Sequence, residues 1–151
     1  MSRLCVQRLF LLLILGICAP LLYAQDDEQV PEQPQLSEEE QARLMATARE
    51  IEQRYASIES LQENMGIYHP SLGEAYSDLA RFLSENERFE EAAEVYDQAL
   101  QITRINYGLY SEDQIPIIQS MIANLQLTRD WETVDRYQEF NFHLHQRIFA
   151  R

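Results

Sequence analysis

Apolar residues recur along this chain at spacings of three and four, and no alternating run is long enough for a strand. The pattern therefore predicts helices throughout. Ser37-Glu38-Glu39-Glu40 has the S-x-x-E form of a capping box, with acid near the positive end of the helix dipole. Leu44, Ala48, Ile51, Tyr55, Ile58 and Leu61 then make one stripe on a long helix over 37–65, which Gly66 ends. Ser71 and Glu74 form a second capping box beside Pro70. Leu72, Tyr76, Leu79, Ala80 and Leu83 give that helix its buried face. After the polar turn Glu85-Asn86-Glu87-Arg88, a partner helix starts near Phe89, with Ala92, Tyr96, Ala99 and Leu100 facing inward, and Gly108 breaks it. Asp113 is the expected N-cap of the next helix, with Pro116 tolerated in its first turn and Ile115, Ile118, Met121, Ile122 and Leu125 inside. Asp130 caps a last helix carrying Trp131, Val134, Tyr137, Phe140, Leu144 and Ile148.

These elements echo one another at a fixed offset of 42 residues. Phe89-Glu90-Glu91-Ala92 aligns with Trp131-Glu132-Thr133-Val134, and Gly66-Ile67-Tyr68 with Gly108-Leu109-Tyr110. Tyr76, Leu79 and Leu83 align with Ile118, Met121 and Leu125. An offset held through two helices and their turns indicates a repeat, and repeats of this length are stacked helical hairpins. The expected fold is all-α, a helical-hairpin solenoid of about two and a half units: the helix 37–65, a repeat over 71–107 and a repeat over 113–150.

The first 36 residues differ from the rest. Arg3 and Arg8 precede an apolar run from Leu9 to Ala24, and Gln25-Asp26-Asp27-Glu28 follows. This is the layout of a secretory signal peptide over 1–24, with cleavage expected after Ala24. The alternative is an uncleaved inner-membrane anchor through 9–24, although sixteen residues interrupted by Pro20 fall short of the roughly 20 a spanning helix needs. Residues 25–36, QDDEQVPEQPQL, offer almost nothing to bury and read as a disordered acidic linker. Both cysteines, Cys5 and Cys18, lie in the leader, so the exported chain would form no disulfide. All 12 basic residues are Arg, which rules out lysine Schiff-base chemistry. Without Arg3 and Arg8, 10 basic residues face 25 acidic ones, a net charge of −15. Such a chain repels nucleic acid and anionic lipid. A basic or neutral protein surface suits it better.

At Tyr76, Leu79, Ala80, Leu83, Phe89, Ala92, Tyr96 and Ala99 the chain resembles a tetratricopeptide repeat. Small Ala80 and Ala92 would sit where two helices cross, and overpacking there would cost about 1–3 kcal/mol. The 42-residue period and the His69-Pro70 start are similar to the variety found in kinesin light chains and many bacterial proteins. The second unit departs from the pattern, with Ile122, Val134, Gln138 and Asn141 at the small and aromatic positions. The resemblance implies an exported periplasmic scaffold that holds a peptide or partner helix in a groove lined by the first helix of each unit. Carried over by position, the groove residues would be Glu74, Ser77, Asp78 and Arg81, then Gln119, Ser120 and Ala123. Asp78 stands where many members of the family use Asn to bond a ligand backbone, and an acid there accepts but does not donate.

Little else suggests chemistry. His143 and His145 are two apart, so on a helix they point about 200° apart and cannot share a metal ion. His69 serves a turn. No Ser, His and Asp arrangement, glycine-rich phosphate loop or C-x-x-C-H haem signal occurs. Adjacent acids such as Glu90 and Glu91 diverge on a helix. The reading is no enzyme, no metal and no cofactor. Phe140, Phe142 and Phe149 crowd the last helix, giving it more aromatic surface than one neighbour can cover, and form an expected end-face interface for a partner or a homodimer. The rival to a reversible scaffold is an assembly subunit packed permanently in an oligomer.

Overall fold

The computed structural model describes residues 36–149. The leader and all but the last residue of the 25–36 segment lie outside them. The described chain is all-helical: α1 (Glu38–Met65), α2 (Ser71–Glu85), α3 (Phe89–Tyr107), α4 (Gln114–Thr128) and α5 (Trp131–Phe149). No strand occurs among the described residues. Each helix packs on its neighbours in the chain, and α2 also touches α4.

The helix ends follow from local chemistry. Ser37 and Glu40 close the predicted capping box, with Glu40 N donating to Ser37 Oγ at 3.2 Å and Ser37 N to Glu40 Oε2 at 2.8 Å. The Ser37 N–H and the Ser37 hydroxyl, which donates to Glu40 Oε2 at 2.8 Å, hold the Glu40 carboxyl below the ordinary carboxylate value. Asp130 caps α5 through Thr133 N at 3.2 Å. Gly66 and Gly108 end α1 and α3 at φ 93° and 90° with ψ 154° and 170°, a region open essentially to glycine alone.

The second predicted capping box does not form. Pro70 takes the N-cap of α2 in helical conformation, with no capping side chain of its own, and His69 Nδ1 accepts from Ser71 N at 3.3 Å instead. Pro70 at the cap is already helical, so Ser71 falls inside the helix, where its hydroxyl no longer faces the free N–H groups. Asp113 likewise makes no cap. Ser111 does the work there, accepting from Asp113 N at 3.1 Å and donating to its carboxylate.

The core runs through all five helices. Leu72, Leu79, Ala80, Leu83, Ala92, Ala99 and Ile118 are fully buried, and Leu100, Met121, Val134 and Leu144 nearly so. Burying each larger side chain is worth about 1.5–3 kcal/mol. The helix-crossing alanines Ala80 and Ala92 are buried as expected. Several buried residues escaped the periodicity, among them Val95, Ile102 and Thr103 on α3 and Ile117, Gln114 and Asn124 on α4. Gln114 is satisfied by Arg104 Nε at 3.0 Å and by Gly108 O at 3.0 Å. Asn124 Nδ2 donates to Phe89 O at 2.8 Å. Both bind backbone or side-chain groups that a helical-wheel argument cannot see.

The stripe on α1 is only half used. Ile51 and Ile58 are buried and Leu61 partly so, whereas Leu44 is 58% and Tyr55 42% exposed. Length explains Leu44: 28 residues rise about 42 Å and the 15 of α2 about 22 Å. Thr47 Oγ1, 3.4 Å from Asn86 Oδ1, marks where α2 stops opposite α1. Leu44 and Met45 lie beyond that point.

Candidate functional site

An open groove of about 480 Å³ lies between α2 and α4, floored by α3. Glu74, Ser77, Asp78 and Arg81 line it from α2, Tyr96, Thr103 and Tyr107 from α3, and Pro116, Ile117 and Ser120 from α4, with Asp113 at its start. Five of the predicted groove residues therefore converge: Glu74, Ser77, Asp78, Arg81 and Ser120.

Gln119 and Ala123 do not line the groove, although both are exposed. The reason is geometric. Carrying positions from one repeat to the next selects the same flank of each helix. A groove between two helices uses opposite flanks. On α4 the flank toward α2 is Asp113, Pro116, Ile117 and Ser120, at helical spacing, and Gln119 lies about 100° round from Ser120.

The floor depends on close approach. A Cβ on Gly73 would sit 3.1 Å from Thr103 Oγ1, so glycine lets α2 settle on α3. Thr103 Oγ1 donates to Ala99 O at 2.9 Å, and Ser77 Oγ to Gly73 O at 2.8 Å. Both hydroxyl protons are thereby committed, leaving oxygen lone pairs toward the groove. Tyr96 is 3% exposed, and burial pushes its phenol up, partly offset by the Ser120 hydroxyl. Neutral phenol and hydroxyls thus sit among charged walls.

Those walls are mainly acidic. Glu74, Asp78 and Asp113 face one cation, Arg81, whose guanidinium lies 2.7 Å from Asp78 with both side chains largely exposed. Such a pair is worth about 0.3–0.5 kcal/mol, so an incoming ligand can break it cheaply. What the groove offers is acceptor oxygen and negative charge over an aromatic floor.

The end face is arranged differently from expectation. Phe142 and Phe149 are 60% and 57% exposed, as predicted. Phe140 is instead half-buried, with the Arg104 guanidinium 4.9 Å over its ring, and belongs to the packing between α3 and α5. Nearby, Tyr137 Oη donates to Asp97 Oδ1 at 2.7 Å. Trp131, which aligns with Phe89, is 57% exposed. His143 Nε2 lies 3.8 Å from Glu139, while His145 Nδ1 meets Asn141 O at 2.8 Å, so the two rings are engaged separately. No three His, Cys, Asp or Glu side chains converge among the described residues. No described helix is long and apolar enough to cross a membrane.

Compared with known proteins, the chain matches no family model and no curated protein.

Proposed function

We propose that this chain is a tetratricopeptide-type scaffold of two and a half helical hairpins that binds a protein segment in the groove between α2 and α4. The observation that carries this reading is the repetition of backbone devices at an offset of 42. Helices α3 and α5 begin 42 residues apart. Among the described residues, the four with positive φ fall into two pairs at that offset, Gly66 with Gly108 and Glu87 with Arg129. Asn64 Nδ2 donates to Ser60 O at 2.7 Å, and Asn106 Nδ2 to Ile102 O at 2.9 Å, so α1 ends as α3 does. Stacked units of this kind create a continuous concave surface.

The acidic walls favour a basic extended segment. Nucleic acid is disfavoured by the same charge. Export through the leader is part of this proposal, and no catalytic role belongs to it. Selection from a displayed random peptide library on the full chain tests the reading. Enriched peptides should be rich in Arg and Lys. They should lose binding to Ser120→Trp, which fills the groove, while thermal melting stays within a few degrees of the unaltered chain. Peptides without basic character, or binding indifferent to Ser120→Trp, would overturn it.

A further inference from the structure

We propose that the mouth of the groove is a second recognition element, which seats apolar residues flanking the basic part of the bound segment on one side. The inference rests on the groove reading above and adds the order in which the partner's residues stand.

Helices α1 and α3 end where α2 and α4 begin, so the two turns between them share one end of the stack. Asn106 Nδ2 donates to Tyr68 O at 2.9 Å and ties those turns together. Around them Met65, Ile67, Tyr68, Tyr107, Leu109 and Tyr110 are 54% to 64% exposed. Single exposed apolar residues are ordinary, whereas a gathering of six marks a contact surface. No Asp, Glu, Lys or Arg occurs over 64–73 or over 105–111, in a chain that is 25% charged. At the opposite end of the stack the links are Asn86-Glu87-Arg88 and Arg129-Asp130, with no apolar residue in either. Both repeats therefore keep one end apolar and uncharged and the other polar.

Continuity with the groove says what covers the apolar end. Pro70 and Tyr107 flank these turns and also line the groove, so a segment leaving it passes over them. Helix positions order the charges along that path. Glu74 is in the first turn of α2 and Asp113 is the N-cap of α4, both beside the mouth. Neither has an ion-pair partner among the described residues. Asp78 and Arg81 lie about one and two turns deeper, and they neutralise each other at 2.7 Å. The negative charge open to a ligand is thus concentrated at the mouth, next to the apolar turns. From Glu74 to Arg81 is about 10 Å along the helix, which an extended chain covers in about three residues. The partner this fits has one or two basic residues at Glu74 and Asp113, followed at once by apolar or aromatic residues on the outward side only.

Three synthetic peptides titrated into the full chain by calorimetry test this. Each carries the same arginine pair, flanked by serines, by Leu-Phe on its N-terminal side, or by Leu-Phe on its C-terminal side. One of the two Leu-Phe orders should bind about tenfold tighter than the serine-flanked peptide. Ile67→Ser with Leu109→Ser lies outside the groove lining and should erase that gain. It should leave the serine-flanked peptide within about twofold and the melting temperature unchanged. Equal binding of all three peptides, a gain shared equally by both orders, or a gain that survives the turn changes would each overturn the inference. In those cases a serine-flanked peptide that still binds, and is lost with Ser120→Trp, leaves the groove reading standing. If no peptide binds, both fall.

Discussion

Glu87 and Arg129 stand 42 residues apart and hold the same left-handed backbone, at φ 62° and 61°. Neither is glycine, so each turn stores strain of about 1–2 kcal/mol relative to a right-handed residue. Both close the tight link from the first to the second helix of a hairpin, and Arg88 N and Asp130 N reach back to Leu83 O and Leu125 O at 3.0 and 3.2 Å. The pairing of residues as unlike as Glu and Arg shows that turn geometry, not side-chain identity, is what repeats.

Glycine at either turn should therefore stabilise the chain. Relief of strain exceeds the extra entropy of the unfolded glycine, leaving a gain of about 0.5–1 kcal/mol each for Glu87→Gly and Arg129→Gly. The opposite holds for Gly66→Ala and Gly108→Ala. Nothing crowds a Cβ at those two positions, so the loss is backbone strain alone, about 1–3 kcal/mol each. Urea denaturation of the four variants checks the set. Four losses of equal size would mean that the turns are not built as described.

Ala92→Leu should destabilise far more than Ala123→Leu. Ala92 is fully buried where α3 crosses α2, and overpacking costs about 1–3 kcal/mol. Ala123 is exposed, so its change should stay within about 0.5 kcal/mol. Equal shifts in melting temperature would show the register of the two hairpins to be wrong.

Much of this was legible in the sequence, for an identifiable reason. Helix periods, Gly66, Gly108 and the Ser37–Glu40 box are local signals, and each appears where periodicity and capping chemistry put it. What went unread depends on neighbours. Leu44 follows the stripe faithfully, yet α2 is too short to reach it. Gln114 and Asn124 are polar by composition and buried by virtue of partners 10 and 35 residues away. Gln119 and Ala123 were placed by repeat position, whereas groove lining depends on which flank of α4 turns toward α2. Ile117 at the groove could have been found by asking which residue follows Asp113 and precedes Ser120 at helical spacing.

Stability should fall in strong alkali through Tyr137. Its phenol is pushed up from 10.0 to about 12, first by burial and then by the bond to the Asp97 carboxylate. Below pH 10 the phenol is neutral folded and unfolded, and the contribution is complete. Between pH 10 and about 12 the unfolded chain ionises while the folded one does not, and the contribution is lost. The urea midpoint should decline across that window, and Tyr137→Phe should decline less steeply. Parallel curves for the two proteins would remove Tyr137 as the cause.

The central claim is that the groove between α2 and α4 is where a partner segment binds, and amide chemical shifts of the isotope-labelled full chain report on it most directly. An extended peptide carrying several arginines should move the amides of Gly73, Ser77, Tyr96 and Ser120, with weaker binding as salt is added. An otherwise identical peptide with glutamates in place of arginines should leave them still. Shifts confined to α1 or to the outward face of α5, or equal shifts from both peptides, would contradict the account.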